Sequence, residues 1–488
     1  MIKLNTFALS DSQLKKLLKK VYPHVNRYSL NTQNSIVMNG LPREKWEGGE
    51  SVNFSLANGS MDTGNDAAAL YNGSVAGVTS YGTTGITDLN DEISVSQSMI
   101  TGQFKIDTSE VLLTQSGQGA YERALSDRMF KAYNGLNKRL GLHFYNGNTG
   151  SIGEVKTGLA TGAGSFNVKA GSQQHNYLTE GTKFIFRDGS AWGTKKSGVH
   201  VVQNVVSDQT HPGVMTVNFE PALAVDIDTG DYICAAFGDD ITRSPDGLAD
   251  IIPSWFGRTG TPWQTYISNP FRGMNRSRNE WLTAGKYFHY DANQPDFKWS
   301  ELLDQALINV QNAGATPENL CIAVSPLVMG EIQKELRSYG VTNIYRGSDS
   351  NIELGYKRIA STIGDMAENY LIRDPAAPMA RIYGIPKGDH GMKLWDMGEI
   401  SGFMKNQNQT GKLLPGDVGT MGLSDSPMLK GMNFDKLFDV TAGGIGTNGP
   451  QAAVFCHFFG NFIMQSLDQG FVIDIDLPTA MVDGVDIW

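Results

Sequence analysis

Between Lys45 and Lys105 the chain carries no Lys or Arg, and the residues in between are mostly Gly, Ser, Thr, Asn and Ala, with scattered Phe54, Leu70, Tyr71 and Tyr81. Both ends of the stretch alternate as strands do, Ser51-Val-Asn-Phe-Ser-Leu56 at one and Ile93-Ser-Val-Ser96 at the other, while the middle is dense in turn residues. The pattern over 46–104 predicts a long two-stranded arm with an irregular tip. An isolated hairpin is marginal in water. The arm must therefore lie on something else, either the rest of its own chain or a neighbouring subunit. A disordered low-complexity loop is the alternative, and the apolar alternation at each end argues against it.

The rest of the chain has the means to build a body under such an arm. It is 488 residues long, room for roughly three domains or one elaborate one, and 40% of it is hydrophobic. Only 18% is charged and Gly is plentiful at 56 residues, a profile of strands, turns and extended segments and not of a long helical bundle. A net charge of −10 argues against a sequence-specific DNA binder, which would usually carry an extensive basic face, although an acidic chain can still enclose nucleic acid without gripping it. Cys234, Cys321 and Cys456 are too widely spaced for a disulfide framework or a zinc cluster. They read as small buried residues in a reducing cytosol. The N-terminus has no apolar signal core, and the run from Ala453 to Met464 is shorter than the roughly 20 residues a membrane span needs. A cytoplasmic site of synthesis and folding is the expectation.

Residues 10–21 predict a short helix capped by Ser10 or Asp11, with Leu14, Leu17, Leu18 and Val21 on one face and four lysines largely on the other. That basic face suits a membrane, nucleic acid or simply solvent. Residues 119–140 predict the strongest helix: Tyr121, Leu125, Met129, Ala132, Leu136 and Leu140 form one stripe, and Gly141 stands where a C-cap belongs. About 22 residues make a rod of roughly 33 Å. Residues 150–240 read as several short strands, a small sheet or barrel-like insertion. A helix over 299–311, a buried strand Leu320–Val324 and a helix from Ser325-Pro326 to Leu336 form a compact α–β–α unit, with Ser325 as N-cap and Pro326 at the first helical position. Residues 350–450 mix short strands with Gly- and Pro-rich loops. Residues 451–477 read as a late strand or helix returning to the core.

Chemistry is sparse. Gly444-Ile-Gly446-Thr-Asn-Gly449 is a literal dinucleotide fingerprint, but Pro450 follows it directly and only 39 residues remain in which to build the required sheet. A flexible Gly turn is the expectation. Asp226, Asp228 and Asp231 have neither the spacing nor the closing Glu of a calcium loop and read as a strand-to-strand turn. His390 beside Asp389, with Asp396 nearby, is a chance neighbourhood among eight scattered histidines. No protease, hydrolase or nucleotide-triphosphate motif is present. The reading is of a structural protein without catalytic, cofactor or metal residues.

Several phrases occur in a telling order. After the 119–140 helix comes Phe144-Tyr-Asn-Gly-Asn-Thr-Gly-Ser-Ile-Gly153, then Asp228-Thr-Gly-Asp-Tyr-Ile233, Asp246-Gly-Leu-Ala-Asp-Ile-Ile252, Asn275-Arg-Ser277 and Val324-Ser-Pro326. The ordered set resembles the major capsid proteins of tailed bacteriophages, the Hong Kong ninety-seven capsid fold, from about residue 50 to 336 and more loosely beyond. The resemblance implies an α+β chain. In it 1–45 is an N-terminal arm, 46–108 an extended β-hairpin loop, and 109–149 the spine helix of a peripheral domain. Residues 150–245 form a β-rich insertion, 246–450 peripheral and axial elements, and 451–488 the return to the peripheral domain. It further implies self-assembly into hexamers and pentamers of an icosahedral shell in the host cytoplasm. Implied partners are portal, scaffolding and auxiliary or decoration proteins, and non-specifically held double-stranded DNA; no membrane is implied. Trp46, Phe54, Tyr71 and Phe104 are the expected apolar anchors between subunits. An encapsulin-like compartment shell and a β-rich phage tail or fibre protein are the alternatives.

Overall fold

A computed structural model describes residues 41–46, 51–57, 90–107, 135, 138–168, 177–188, 194–207, 215–236, 244–252, 271–274, 276, 283–294, 298–312, 320–338, 358–361, 369–387, 391–396, 432–438 and 451–476. It is a mixed, sheet-rich structure, and among the described residues no helix is long and apolar enough to cross a membrane. The chain divides into two compact units, one of Met1–Gln33, Met99–Lys138 and Met397–Phe459, the other of Asn34–Ser98, Arg139–Asp396 and Gly460–Trp488. The helix expected at 10–21 lies outside the described residues.

A short strand, β1 (Arg43–Lys45), precedes the expected ribbon. The ribbon's strands are β2 (Ser51–Ala57) and β3 (Asn90–Ser96), which pair antiparallel in unbroken register from Ser51 opposite Ser96 to Ala57 opposite Asn90. They form a two-stranded sheet of their own. At Gln97 the chain leaves the ribbon, and β4 (Ser98–Asp107) pairs elsewhere, so the second ribbon strand stops short of residue 104.

Of the helix expected at 119–140, only Gly135 and 138–140 are described, and they are helical. The helix, α1 (138–146), runs past Gly141. Gly141 is therefore an interior residue and not a C-cap. It is buried where the Tyr177 hydroxyl would stand 3.2 Å from an added Cβ, so it serves close packing. The stop comes from a 3-10 turn (Gly147–Thr149) ended by left-handed Gly150 at φ 56°.

The β-rich segment is a closed barrel. Its strands are β5 (Ser151–Glu154), β6 (Ser165–Asn167), β7 (Lys183–Arg187), β8 (His200–Ser207), β9 (Met215–Glu220) and β10 (Tyr232–Ala235), ordered β5-β10-β7-β8-β9-β6. Just beyond β5, Val155 bridges Val168 and the Lys156 N–H donates to the Asn167 carbonyl at 2.9 Å. This joins the two ends of the sheet and abolishes both edges. Alternation sends Phe166, Phe184, Phe186 and Phe219 into the lumen with His200, ring against ring at 5.0–6.0 Å. Each of these five residues is at most 3% exposed. A short helix, α2 (Leu248–Ile251), follows.

The second layer is a six-stranded mixed sheet ordered β11-β19-β15-β12-β14-β13. The strands are β11 (Lys286–Asp291), β12 (Leu320–Val324), β13 (Arg358–Ser361), β14 (Asn369–Arg373), β15 (Arg381–Pro386) and β19 (Phe471–Asp476). Helices α3 (Trp299–Asn312) and α4 (Pro326–Ser338) flank β12 in sequence, as the α–β–α pattern predicts. Trp299, Leu302, Leu303, Ala306, Leu307 and Val310 of α3 join one core with Ile322, Ile382, Phe471 and Ile473. The Ser325 hydroxyl accepts the Val328 N–H at 3.3 Å, the expected N-cap. On β15, Tyr383 meets Tyr145 of α1 at 5.7 Å. Helices and α1 thus cover opposite faces of central β12, which explains its unbroken apolar run, Leu-Cys-Ile-Ala-Val.

The returning C-terminal segment is strand, not helix. The strand β18 (Gln451–Met464) pairs through 460–464 with β16 (Met392–Asp396), which in turn holds β1 in parallel. Its earlier residues pair with β17 (Met432–Phe438), and β4 also joins β18.

Candidate functional site, the root of the ribbon

The apolar alternation of β2 and β3 gives the ribbon one greasy face, and that face turns onto its own unit. Ile93 and Val95 are 3% and 2% exposed, and the half-buried Phe54 ring meets Trp395 of β16 edge-on at 5.6 Å. Ser51 and Asn53 face solvent.

Where β3 ends, three segments converge on it. A tight turn over 271–274, closed by a Phe271–Met274 bridge, holds Arg272 at φ 48°, a left-handed conformation that few non-glycine residues adopt. From there the Arg272 carbonyl accepts the Ser94 N–H at 3.0 Å. The guanidinium grips Asp246, Nε to Oδ2 at 3.0 Å and Nη2 to Oδ1 at 2.6 Å, and its Nη1 reaches the Ser96 hydroxyl at 3.4 Å. Asn461 of β18 completes the knot. Its Nδ2 donates to the Ser96 carbonyl at 2.9 Å and to Asp246 Oδ2 at 3.0 Å, while its Oδ1 accepts the Asp246 N–H at 2.8 Å. The Ser98 hydroxyl donates to the Gly460 carbonyl. Asp246 and Asn461 are 2% and 0% exposed, a buried network whose described members bond to one another.

Beside it stands a second carboxylate. Asp250, third residue of α2, is partly exposed, and its carboxyl lies against the 147–148 backbone. Its Oδ2 accepts the Asn148 N–H at 2.8 Å and the Gly247 N–H at 3.1 Å. Loss of water around the group, and then the charge of Asp246, push Asp250 up to about 7. Burial raises Asp246 as well, against the opposing pull of Arg272. Below the pair, His143 is drawn down to about 4 by burial, with its Nδ1 2.9 Å from the Gly147 carbonyl. The packing leaves no spare volume: a side chain at Gly247 would strike the His143 carbonyl, and one at Gly147, φ 71°, would strike the Asp250 carboxyl.

Of the four expected anchors, Trp46 is 2% exposed within its own chain and Phe54 is covered in part by Trp395. The strand register sets Phe54 opposite Ile93, on the ribbon face that Trp395 meets. Phe104 lies on β4, and Tyr71 lies outside the described residues. So do Gly444–Gly449 and the His390–Asp389 pair. The acidic turn is a turn, as expected: Gly230 takes φ 87°, and Asp228 and Asp231 are both met by the Lys196 ammonium, at 2.7 and 2.8 Å. Asp226 accepts from Thr161. Among the described residues no acidic or His/Cys group is arranged to hold a metal ion. Sequence reasoning missed Arg272 and Asn461. The one available signal was an amide placed inside the apolar run Ala453–Met464.

No family model matches the chain, and no curated protein matches it. Among solved structures it is similar to the cyanophage A-1(L) capsid asymmetric unit, with 11% identity, TM-score 0.44, and coverage of 94% of this chain and 97% of the other. It is similar to the phage G gp27 major capsid proteins with gp26 decoration proteins, with 6% identity, TM-score 0.38, and coverage of 96% and 99%. It is also similar to the SrpI encapsulin complex of Synechococcus elongatus PCC 7942, with 14% identity and TM-score 0.23; here the match covers 41% of this chain and spans about half, 54%, of the encapsulin.

Proposed function

We propose that this chain is the major capsid protein of a tailed bacteriophage, a subunit that assembles into hexamers and pentamers of an icosahedral shell around double-stranded DNA. The observation that carries the reading is a ribbon that pairs with no third strand among the described residues yet is fastened at its root by a buried charged network. A root held this firmly suits an arm that bears load beyond its own body. The 58–89 stretch between the two strands supplies enough chain for a further reach of roughly 50 Å at the rise of a strand. Its far part, with Tyr71, meets a neighbouring copy, and the outer edge of β2 offers unpaired backbone groups for strand addition. Trp46 and Phe54 fix the near part to its own subunit. Phe104 contributes from β4. Repeated heterologous contacts of this kind close into rings. The acidic balance leaves packaged DNA mobile against the wall. Helix 119–140 serves as the spine, and scaffolding, decoration and portal proteins are the further partners. The role is structural and not enzymatic.

The test replaces 58–89 by a two-residue Asn-Gly turn, which leaves β2, β3 and the root intact. Concentrated wild-type protein should form closed particles under negative stain, and the shortened protein should stay folded and soluble without closing them. A wild-type chain that never forms particles, or a shortened chain that closes them as well, refutes the proposal. Particles that hold a cargo enzyme and no nucleic acid would transfer the reading to an encapsulin-like compartment.

A further inference from the structure

The two edges of the ribbon are not alike. Antiparallel strands alternate between residue pairs that exchange both backbone hydrogen bonds and pairs that exchange none. Ser94 of β3 stands opposite Asn53 of β2, yet its N–H donates to the Arg272 carbonyl at 3.0 Å. Asn53 and Ser94 are therefore a pair of the second kind, and their backbone groups point away from the ribbon. The same parity holds at every second residue along each strand. The Ser96 carbonyl agrees with it, since it points outward to the Asn461 Nδ2 at 2.9 Å. The outer edge of β3 is thus occupied at its root, by Arg272 at Ser94 and by Asn461 at Ser96. The outer edge of β2 presents the N–H and C=O groups of Ser51, Asn53, Ser55 and Ala57, and among the described residues no strand pairs with them.

Composition separates the edges a second time. The β2 strand, Ser-Val-Asn-Phe-Ser-Leu-Ala, has no charged residue and no Pro, whereas β3 carries Asp91 and Glu92. Natural sheets blunt their edges with charge, Pro or a bulge. Neither charge nor Pro is present on β2, and its register with β3 is unbroken. An uncharged strand can also lie beside its own copy, because no like charges are brought face to face.

We propose that the strand added at the β2 edge is β2 of a second copy of this chain, antiparallel and centred on Phe54, so that two ribbons join into one sheet ordered β3-β2-β2-β3. Full overlap of Ser51–Ala57 with its copy fixes the register. Asn53 then stands opposite Ser55 and Ser51 opposite Ala57, each pair with outward backbone groups on both sides that bond to one another. A slip of one residue would set an outward group against an inward one. Phe54 meets the second copy's Phe54 across the two-fold axis, as a pair without backbone bonds. The ring is only half-buried, held edge-on by Trp395 at 5.6 Å, so part of it stays open to its counterpart. A contact of this kind joins two chains and stops there, and complements the heterologous contacts that close rings. The inference rests on the strand addition of the proposed capsid role and names the strand. The pairing itself asks only for two copies of the chain.

The test is oxidative cross-linking of the full chain with single cysteines placed in β2, read against wild type under the same oxidation. Facing residues in an antiparallel pair without backbone bonds have Cα atoms about 4.5 Å apart, inside the disulfide range of roughly 4.4–6.8 Å. Phe54→Cys should therefore give a disulfide-linked dimer. Asn53→Cys should not, because residue 53 faces residue 55 and the two copies of 53 lie on a diagonal of about 7–8 Å. Adding Asn53→Pro to Phe54→Cys removes an outward N–H and spares the donors that face β3, as Pro on an edge strand can, and should lower the dimer yield about tenfold. No dimer at 54, equal yields at 53 and 54, or a yield that Asn53→Pro leaves unchanged overturns the pairing. If Phe54→Cys does not fold, sedimentation decides: wild type should associate more strongly than Asn53→Pro, and equal association in the two overturns it. Particles that close normally in a chain without the 54 cross-link sink the pairing and spare the shell. A 54 cross-link in a chain that never closes particles does the reverse.

Discussion

Removing the Arg272 side chain is the most direct trial of the root. Arg272→Ala leaves Asp246, 2% exposed, with Asn461 and its own surroundings but no contacting guanidinium. Stripping one partner from a buried ion pair costs about 3–5 kcal/mol. Two features reduce this figure. The Arg272 side chain is 22% exposed, so water partly screens the pair, and Asp246, already raised by burial, can take up a proton. A loss of about 2–4 kcal/mol remains, which is roughly 30- to 900-fold in the opening equilibrium. The natural assay is exchange of the Ser94 amide, because that N–H donates to the Arg272 carbonyl itself. Adding Asp246→Asn to Arg272→Ala removes the orphaned charge and should recover most of the lost protection, since the cost lies in the unpaired carboxylate more than in the missing contact. Loss of less than about threefold in Arg272→Ala would refute the reasoning. So would a double variant in which the two losses simply add.

Two further predictions concern the barrel. Phe184→Ala empties a fully enclosed position among Phe166, Phe186, Phe219 and His200 and should cost about 3–5 kcal/mol, measured as lost exchange protection in β7–β9 with the ribbon peptide unchanged. His200 sits 2% exposed with Nδ1 2.7 Å from the Pro221 carbonyl and its Nε2 buried without a partner. Burial lowers its pKa. The unfolded state then binds the extra proton, so barrel stability is present above about pH 6.5 and falls as pH drops below it. Urea midpoints that do not decrease from about pH 7 to about pH 5, or that decrease equally in His200→Phe, would contradict this.

The parts of the fold that were legible in sequence are those in which one local period decides the structure. The α3 stripe, the β12 run and the Ser325 cap were readable because burial and backbone chemistry there are settled within a few residues. The end of α1 was not. Gly141 has the sequence character of a cap, and only the approach of Tyr177 from the barrel shows why a glycine sits there. Barrel closure was also hidden, because Val155 and Val168 meet through pairing that no alternation pattern encodes. The site was least legible of all. The Ser51–Leu56 and Ile93–Ser96 alternations were plain, but which body would cover their apolar face depended on Trp395, and the two charges and the amide that fasten them lie at 246, 272 and 461.

That last separation has a consequence for synthesis. Ser96 and Asn461 are 365 residues apart, and translation proceeds at roughly 5–20 residues per second. Roughly 20–70 s therefore pass between the emergence of the second ribbon strand and that of the amide that ties it down. Throughout that interval a nascent chain has its two strands but lacks the Asn461 tie. In the proposed capsid role, a neighbour would meet a fully fastened arm only on a chain whose translation has passed β18, so the order of the sequence would itself delay docking until then.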